Sequence, residues 1–138
     1  MGYYKALFSG AKLAYSEFTV KRDRDVAYLM ELKTENILFS HYAEAGLSGW
    51  LNYTPKAPGG WDSPTSQIRG TFAGHWLSAA ARAYHETGDM QLKAKADFIV
   101  SEIARCQEHN GGGWAFPIPE KYLYFLRDGK DFWAPIYV

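Results

Sequence analysis

The chain has 138 residues, with 15 Lys and Arg against 15 Asp and Glu, so its formal net charge is zero. The balance also holds by halves, with eight basic and seven acidic side chains over 1–69 and seven and eight over 70–138. No basic arm or acidic tail exists, which argues against a dedicated nucleic-acid or anionic-membrane binder. Hydrophobic residues make up 47%, too many for a disordered chain, while 17% aromatic residues is high for an ordinary core and bears on what the protein touches.

Cys106 is the one cysteine, so neither an intramolecular disulfide nor a multi-cysteine zinc site can form within the chain. No apolar run approaches the ~20 residues of a membrane span. Lys5 and Lys12 interrupt the only stretch that resembles a signal peptide. The expectation is a cytoplasmic protein with no membrane partner.

In chain order, the segment from Glu17 to Leu32 mixes charges with Val26, Leu29 and Met30 and reads as an amphipathic helix. A shorter apolar stretch runs from Asn36 to Ala45 and stops at Gly46. Residues 46–65 carry Gly46, Gly49, Gly59, Gly60, Pro55, Pro58 and Pro64 among Trp50, Tyr53 and Trp61. Pro removes backbone donors and Gly permits positive φ, so a long loop is expected there.

A strong helical pattern spans Gln67 to Glu86, with Phe72, Trp76, Ala79, Ala80 and Ala83 on one face and Ser63 or Thr65 as the expected cap. Gly70 and Gly74 cost helix propensity and make sense where a backbone or ligand approaches closely. Thr87-Gly88 ends the helix and Asp89 caps the next. That one runs to about Glu108 with Leu92, Ala96, Ile99, Val100, Ile103 and Cys106 as its apolar stripe, completing an αα-hairpin. After Gly111 to Gly113, a last short helix is expected from Pro119 to Gly129. The charge-free ending Phe132-Trp133-Ala134-Pro135-Ile136-Tyr137-Val138 predicts a polypeptide that continues.

Zinc-protease, nucleophile-elbow, phosphate-loop and dinucleotide signatures are absent. His41, His75, His85 and His109 show no i, i+4 pairing, so no metal site is expected from them. Cys106 falls on a buried stripe, where a thiol packs as a small hydrophobe. Gly-Gly-Trp occurs twice, at 59–61 and 112–114. Either ring suits stacking on a sugar face, and either suits closing the end of a helical core. Gln67 and Arg69 are candidate hydroxyl ligands, and His75 offers a third polar group. No pair of carboxylates stands out for glycoside cleavage.

The run Pro64-Thr65-Ser66-Gln67-Ile68-Arg69-Gly70-Thr71-Phe72-Ala73-Gly74-His75-Trp76-Leu77-Ser78-Ala79 resembles the N-terminal part of the beta-L-arabinofuranosidase-like glycoside hydrolases, glycoside hydrolase family 127 and its relatives. Ala45-Gly46-Leu47, Gly60-Trp61, Thr87-Gly88-Asp89, Ile103-Ala104-Arg105-Cys106-Gln107, Ile118-Pro119-Glu120-Lys121-Tyr122, Gly129-Lys130 and Trp133-Ala134-Pro135 follow in family order, covering about residues 20 to 138. The resemblance implies an all-α fold: αα-hairpins forming an incomplete (α/α)6 toroid, with residues 1–138 a single N-terminal portion of the catalytic domain. It further implies hydrolysis of β-L-arabinofuranosides or related plant glycans. The family mechanism uses a cysteine nucleophile, a glutamate and a cysteine-held zinc, all placed beyond the matched positions. No catalytic residue, metal ligand or cofactor is therefore assigned here, and zinc is expected only with the full-length family. Thr71 stands where relatives often have His, and Ser66 where close relatives often have Cys.

The expected substrate-binding residues are Trp61, Gln67, Arg69, His75, Trp114, Trp133 and Tyr137, with carbohydrate as partner and no glycosidase activity in the isolated chain. Two alternatives stand beside this reading: a non-catalytic glycan-binding module, and a helical module that self-associates into a homo-oligomer through an exposed inner face.

Overall fold

A computed structural model describes residues 12–47 and 57–130, and every described element is helical. Helix α1 spans Glu17–Glu31, α2 Thr34–Ile37, α3 Phe39–Glu44, α4 Thr71–Thr87, α5 Met90–His109 and α6 Lys121–Arg127. A single 3₁₀ turn, Gly60–Asp62, interrupts the loop before α4. Helices α4 and α5 pack as the hairpin, α1 lies against α4, and α3 against α5. No helix of the described residues is long and apolar enough to cross a membrane.

Local chemistry explains most boundaries. Thr19 Oγ1 accepts a 3.0 Å hydrogen bond from the Ser16 N–H and starts α1. The apolar stretch after it is two short helices, broken at Leu38. It closes with the Leu47 N–H donating to the Tyr42 carbonyl at 2.8 Å across left-handed Gly46, which satisfies the last carbonyls and buries Leu47. Between α4 and α5, Gly88 is left-handed, and Asp89 Oδ1 accepts from the N–H groups of Gln91 (2.9 Å) and Leu92 (3.2 Å), as the sequence predicts.

Helix α4 begins at Thr71, four residues later than the pattern suggested, because Gly70 has φ 88° and cannot continue a right-handed helix. Its cap is neither Ser63 nor Thr65, whose hydroxyls lie 3.3 Å from each other. Asp62 Oδ1 caps it instead, accepting from the N–H groups of Gly70 (2.6 Å) and Phe72 (3.3 Å). The expected close approach at Gly70 is real, since a Cβ there would overlap the Pro117 ring. Nothing approaches Gly74. Helix α6 starts at Lys121, two residues past Pro119, and buries none of its residues.

The core joins Leu38, Tyr42 and Leu47 to Ala73, Trp76 and Ala80 of α4 and to Leu92, Ile99 and Cys106 of α5. Three residues of the expected apolar faces fall outside it, and two of them, Phe72 and Val100, are large side chains left exposed. The buried line of α5 repeats every seventh residue, and Val100 sits about 100° around the helix from Ile99. Ala79 is exposed as well, because the buried line of α4 runs through Ala73, Trp76 and Ala80. Trp76 fixes that rotation: its indole N–H donates to the Leu29 carbonyl at 3.2 Å. Lys95 reaches from α5 to the same place, where its ammonium donates to the carbonyls of Leu29, Met30 and Leu32 and lies 5.3 Å from the Trp76 ring centre. Across the core, the Tyr42 hydroxyl donates to Glu102 Oε2 at 2.7 Å, and Arg105 grips the same carboxylate.

Candidate functional site

The start of α4, the loop 114–117 and α3 converge on one cleft of about 370 Å³. Gly70, Thr71, Ala73, Gly74, His75 and Leu77 form one wall, and Ala115, Phe116 and Pro117 form the opposite one. His41 of α3 and Ile103 of α5 complete the lining. The loop is stiffened from within. The Trp114 indole N–H donates to the Ile118 carbonyl, Asn110 Nδ2 donates to the Trp114 carbonyl, and the Trp114 and Phe116 rings meet edge to face at 5.0 Å. Pro117 locks against Gly70, so the two walls hold each other in place.

The polar groups of this cleft are imidazoles and a hydroxyl. His41 is 6% exposed, and burial pushes its pKa down to about 4, with the Asp62 charge acting in the opposite sense. It is therefore neutral at pH 7. His75 is exposed and lies between this cleft and a second groove of about 510 Å³ between α1 and α4. Thr71 donates its hydroxyl to the Ile68 carbonyl at 2.5 Å.

The sequence-predicted binding residues do not all gather here. His75 lines the cleft directly. Arg69 is next to it in the chain and half-buried, donating to the Ser66 carbonyl at 3.2 Å and pairing with Glu44 at 3.7 Å. Gln67 is exposed on the turn before α4. Trp61 is 83% exposed, with its ring in solvent beside Asp62. Trp114 is half-buried, with its N–H spent on the loop backbone, so of the two Gly-Gly-Trp copies one braces a loop and the other is presented outward. Trp133 and Tyr137 lie outside the described residues.

Three participants escaped the sequence reading: His41, Phe116 and the capping role of Asp62. For His41 a signal was available, since Ser40-His41 interrupts the apolar run from Ile37 to Tyr42. A polar pair inside a buried stretch needs a reason to be there.

The described residues do not fit a zinc centre of the family's kind. No group of three or more His, Cys, Asp or Glu side chains able to hold a metal gathers among the described residues. The single thiol, Cys106, is 1% exposed in the core, and burial raises its pKa to about 11.

Residues 11–138 match the family model described as beta-L-arabinofuranosidase, GH127 catalytic domain, which makes the chain a glycoside hydrolase sequence. It belongs to the GH127 beta-L-arabinofuranosidase catalytic-domain family. No curated protein and no solved structure matches it.

Proposed function

We propose that the cleft at the start of α4 is a sugar-recognising part of a GH127 catalytic domain that acts on β-L-arabinofuranosides or related plant glycans. On this reading, α1 to α6 are helices of an incomplete (α/α)6 ring. The observation that carries it is the cleft itself. It has the volume of a small-ligand site, apolar and glycine walls, the exposed aromatic ring of Phe116, and hydrogen-bonding side chains at His41, Thr71 and His75. Such a lining suits an uncharged ring with hydroxyls. Trp61, presented nearby in sequence to the α4 cap, offers a stacking face.

The 138-residue chain binds sugar on this reading without cleaving it. Its one thiol is buried and protonated at pH 7, so it supplies no cysteine nucleophile. Among the described residues no carboxylate lines the cleft. Titration of the chain with methyl β-L-arabinofuranoside, followed by tryptophan fluorescence, is expected to give a saturable change, with no release of aryl alcohol from an aryl β-L-arabinofuranoside. A flat titration would overturn the binding claim, and measurable turnover would overturn the claim of binding without cleavage.

A further inference from the structure

Among the described residues, three buried side-chain polar atoms have no hydrogen-bond partner: Ser40 Oγ, His41 Nδ1 and Asp62 Oδ2. Unpaired buried polar atoms are costly, and each one asks for an explanation. Two of the three are linked to the cleft, one by lining it and one through a hydrogen bond to a lining residue. His41 lines it. Asp62 is held at its edge by Oδ1, which accepts from the Gly70 and Phe72 N–H groups, and Gly70 is itself a lining residue. The Asp62 charge also acts on the His41 imidazole.

We infer that Asp62 and His41 form a carboxylate–imidazole pair in which Asp62 Oδ2 accepts from His41 Nδ1–H, so that Nε2 keeps its lone pair toward the cleft and accepts a hydrogen bond from a sugar hydroxyl. The chemistry is directional. An ionised carboxylate only accepts, whereas a neutral imidazole donates from one nitrogen and accepts at the other. With Oδ1 committed to two backbone donors, Oδ2 is the free acceptor, and the buried unpaired Nδ1 is the group that lacks one. No direct hydrogen bond joins the two atoms in the structure, so the proposed pair requires a rotation of the ring or a bridging water between them. Burial holds the ring neutral, so the lone pair at Nε2 is available at pH 7. Asp62 is then a positioning residue, and His41 is the residue that touches ligand.

This inference rests on the cleft being a sugar site, and its test separates the two. The full 138-residue chain, labelled with ¹⁵N-histidine, is examined at pH 7 by long-range ¹H–¹⁵N spectroscopy, which reads the tautomer of each imidazole. His41 is expected as the Nδ1–H form. Asp62→Asn keeps one carbonyl oxygen for the Gly70 and Phe72 N–H groups but turns the other position into a donor, so it is expected to switch His41 to the Nε2–H form. Far-UV circular dichroism of the variant, unchanged from wild type, reports that the fold is intact. An Nε2–H wild-type ring, or an unchanged tautomer in Asp62→Asn, overturns the pair. Methyl β-L-arabinofuranoside should shift the His41 Nε2 resonance, and both His41→Phe and Asp62→Asn should weaken its binding about tenfold or more. Wild-type binding with unaltered affinity in His41→Phe overturns the hydroxyl contact. No wild-type binding defeats the sugar-site reading, while the tautomer result still decides the pair.

Discussion

The C-terminal end of α1 and the entrance of α4 handle buried polarity in opposite ways. At the end of α1 the carbonyls of Leu29, Met30 and Leu32 receive the Lys95 ammonium, and Leu29 also receives the Trp76 indole N–H. At the entrance of α4, Asp62 caps the helix with one oxygen and leaves the other buried and unpaired, and His41 Nδ1, on a residue that lines the cleft, is unpaired too. The first region is a hydrogen-bonded joint whose three carbonyls are all engaged. The second keeps unspent hydrogen-bonding capacity behind an accessible cavity, which is what a binding wall requires and what a purely structural joint avoids.

The largest effect expected at the closed joint is that of Trp76→Ala. Trp76 is 1% exposed and ties α1 to α4, so its loss should cost about 3–5 kcal/mol in urea unfolding. A cost below 1 kcal/mol would show that α1 is not anchored there.

The entrance of α4 should show itself as a pH dependence. His41 has its pKa lowered in the fold from 6.5 to about 4, so below pH 6.5 the unfolded chain takes up a proton that the folded chain refuses. Stability should therefore fall as pH drops from 6.5 to about 4, by up to ~3 kcal/mol, and gain no further loss from this group below that. His41→Phe should flatten that slope in unfolding curves taken across the range. An unchanged slope would place the acid sensitivity elsewhere and blur the contrast between the two regions.

The smallest of these effects should be that of Lys95→Met, which keeps the packing of the stem and removes the ammonium. It should cost ~1–2 kcal/mol in urea unfolding, because three carbonyls lose a charged donor at a half-buried place. The sugar titration should be unaffected, since Lys95 does not line the cleft. A change in ligand affinity would mean that the joint and the wall are coupled.

The contrast also marks what was legible in the sequence. The α4–α5 hairpin was, because its signals are local: Thr87-Gly88 stops one helix and Asp89, three residues before Leu92, caps the next. The core role of Cys106 followed from helical spacing alone. The entrance of α4 was misread because its cap comes from Asp62, eight residues before Gly70, beyond the range of any short capping pattern. The cleft was half visible. His75 belongs to the helix whose motif was noticed, but His41 and Phe116 reach it from segments far away in sequence, and only packing brings them together. The family match extends the reading to a glycoside hydrolase domain, a conclusion that no single motif among these residues carries.

The contact between Gly70 and Pro117 has a consequence for how such a chain can diverge. One residue ends the loop before the hairpin and the other lies in the loop after it, and there is no room for a side chain between them. The two loops are thereby fastened together at this contact although the whole hairpin separates them in sequence. A lengthening or shortening that moved either anchor would open the cleft from both sides at once. If the cleft is the proposed sugar site, new preferences should therefore arise by exchanging residues on the fixed loops, such as Thr71 or Phe116, in preference to resizing either loop alone.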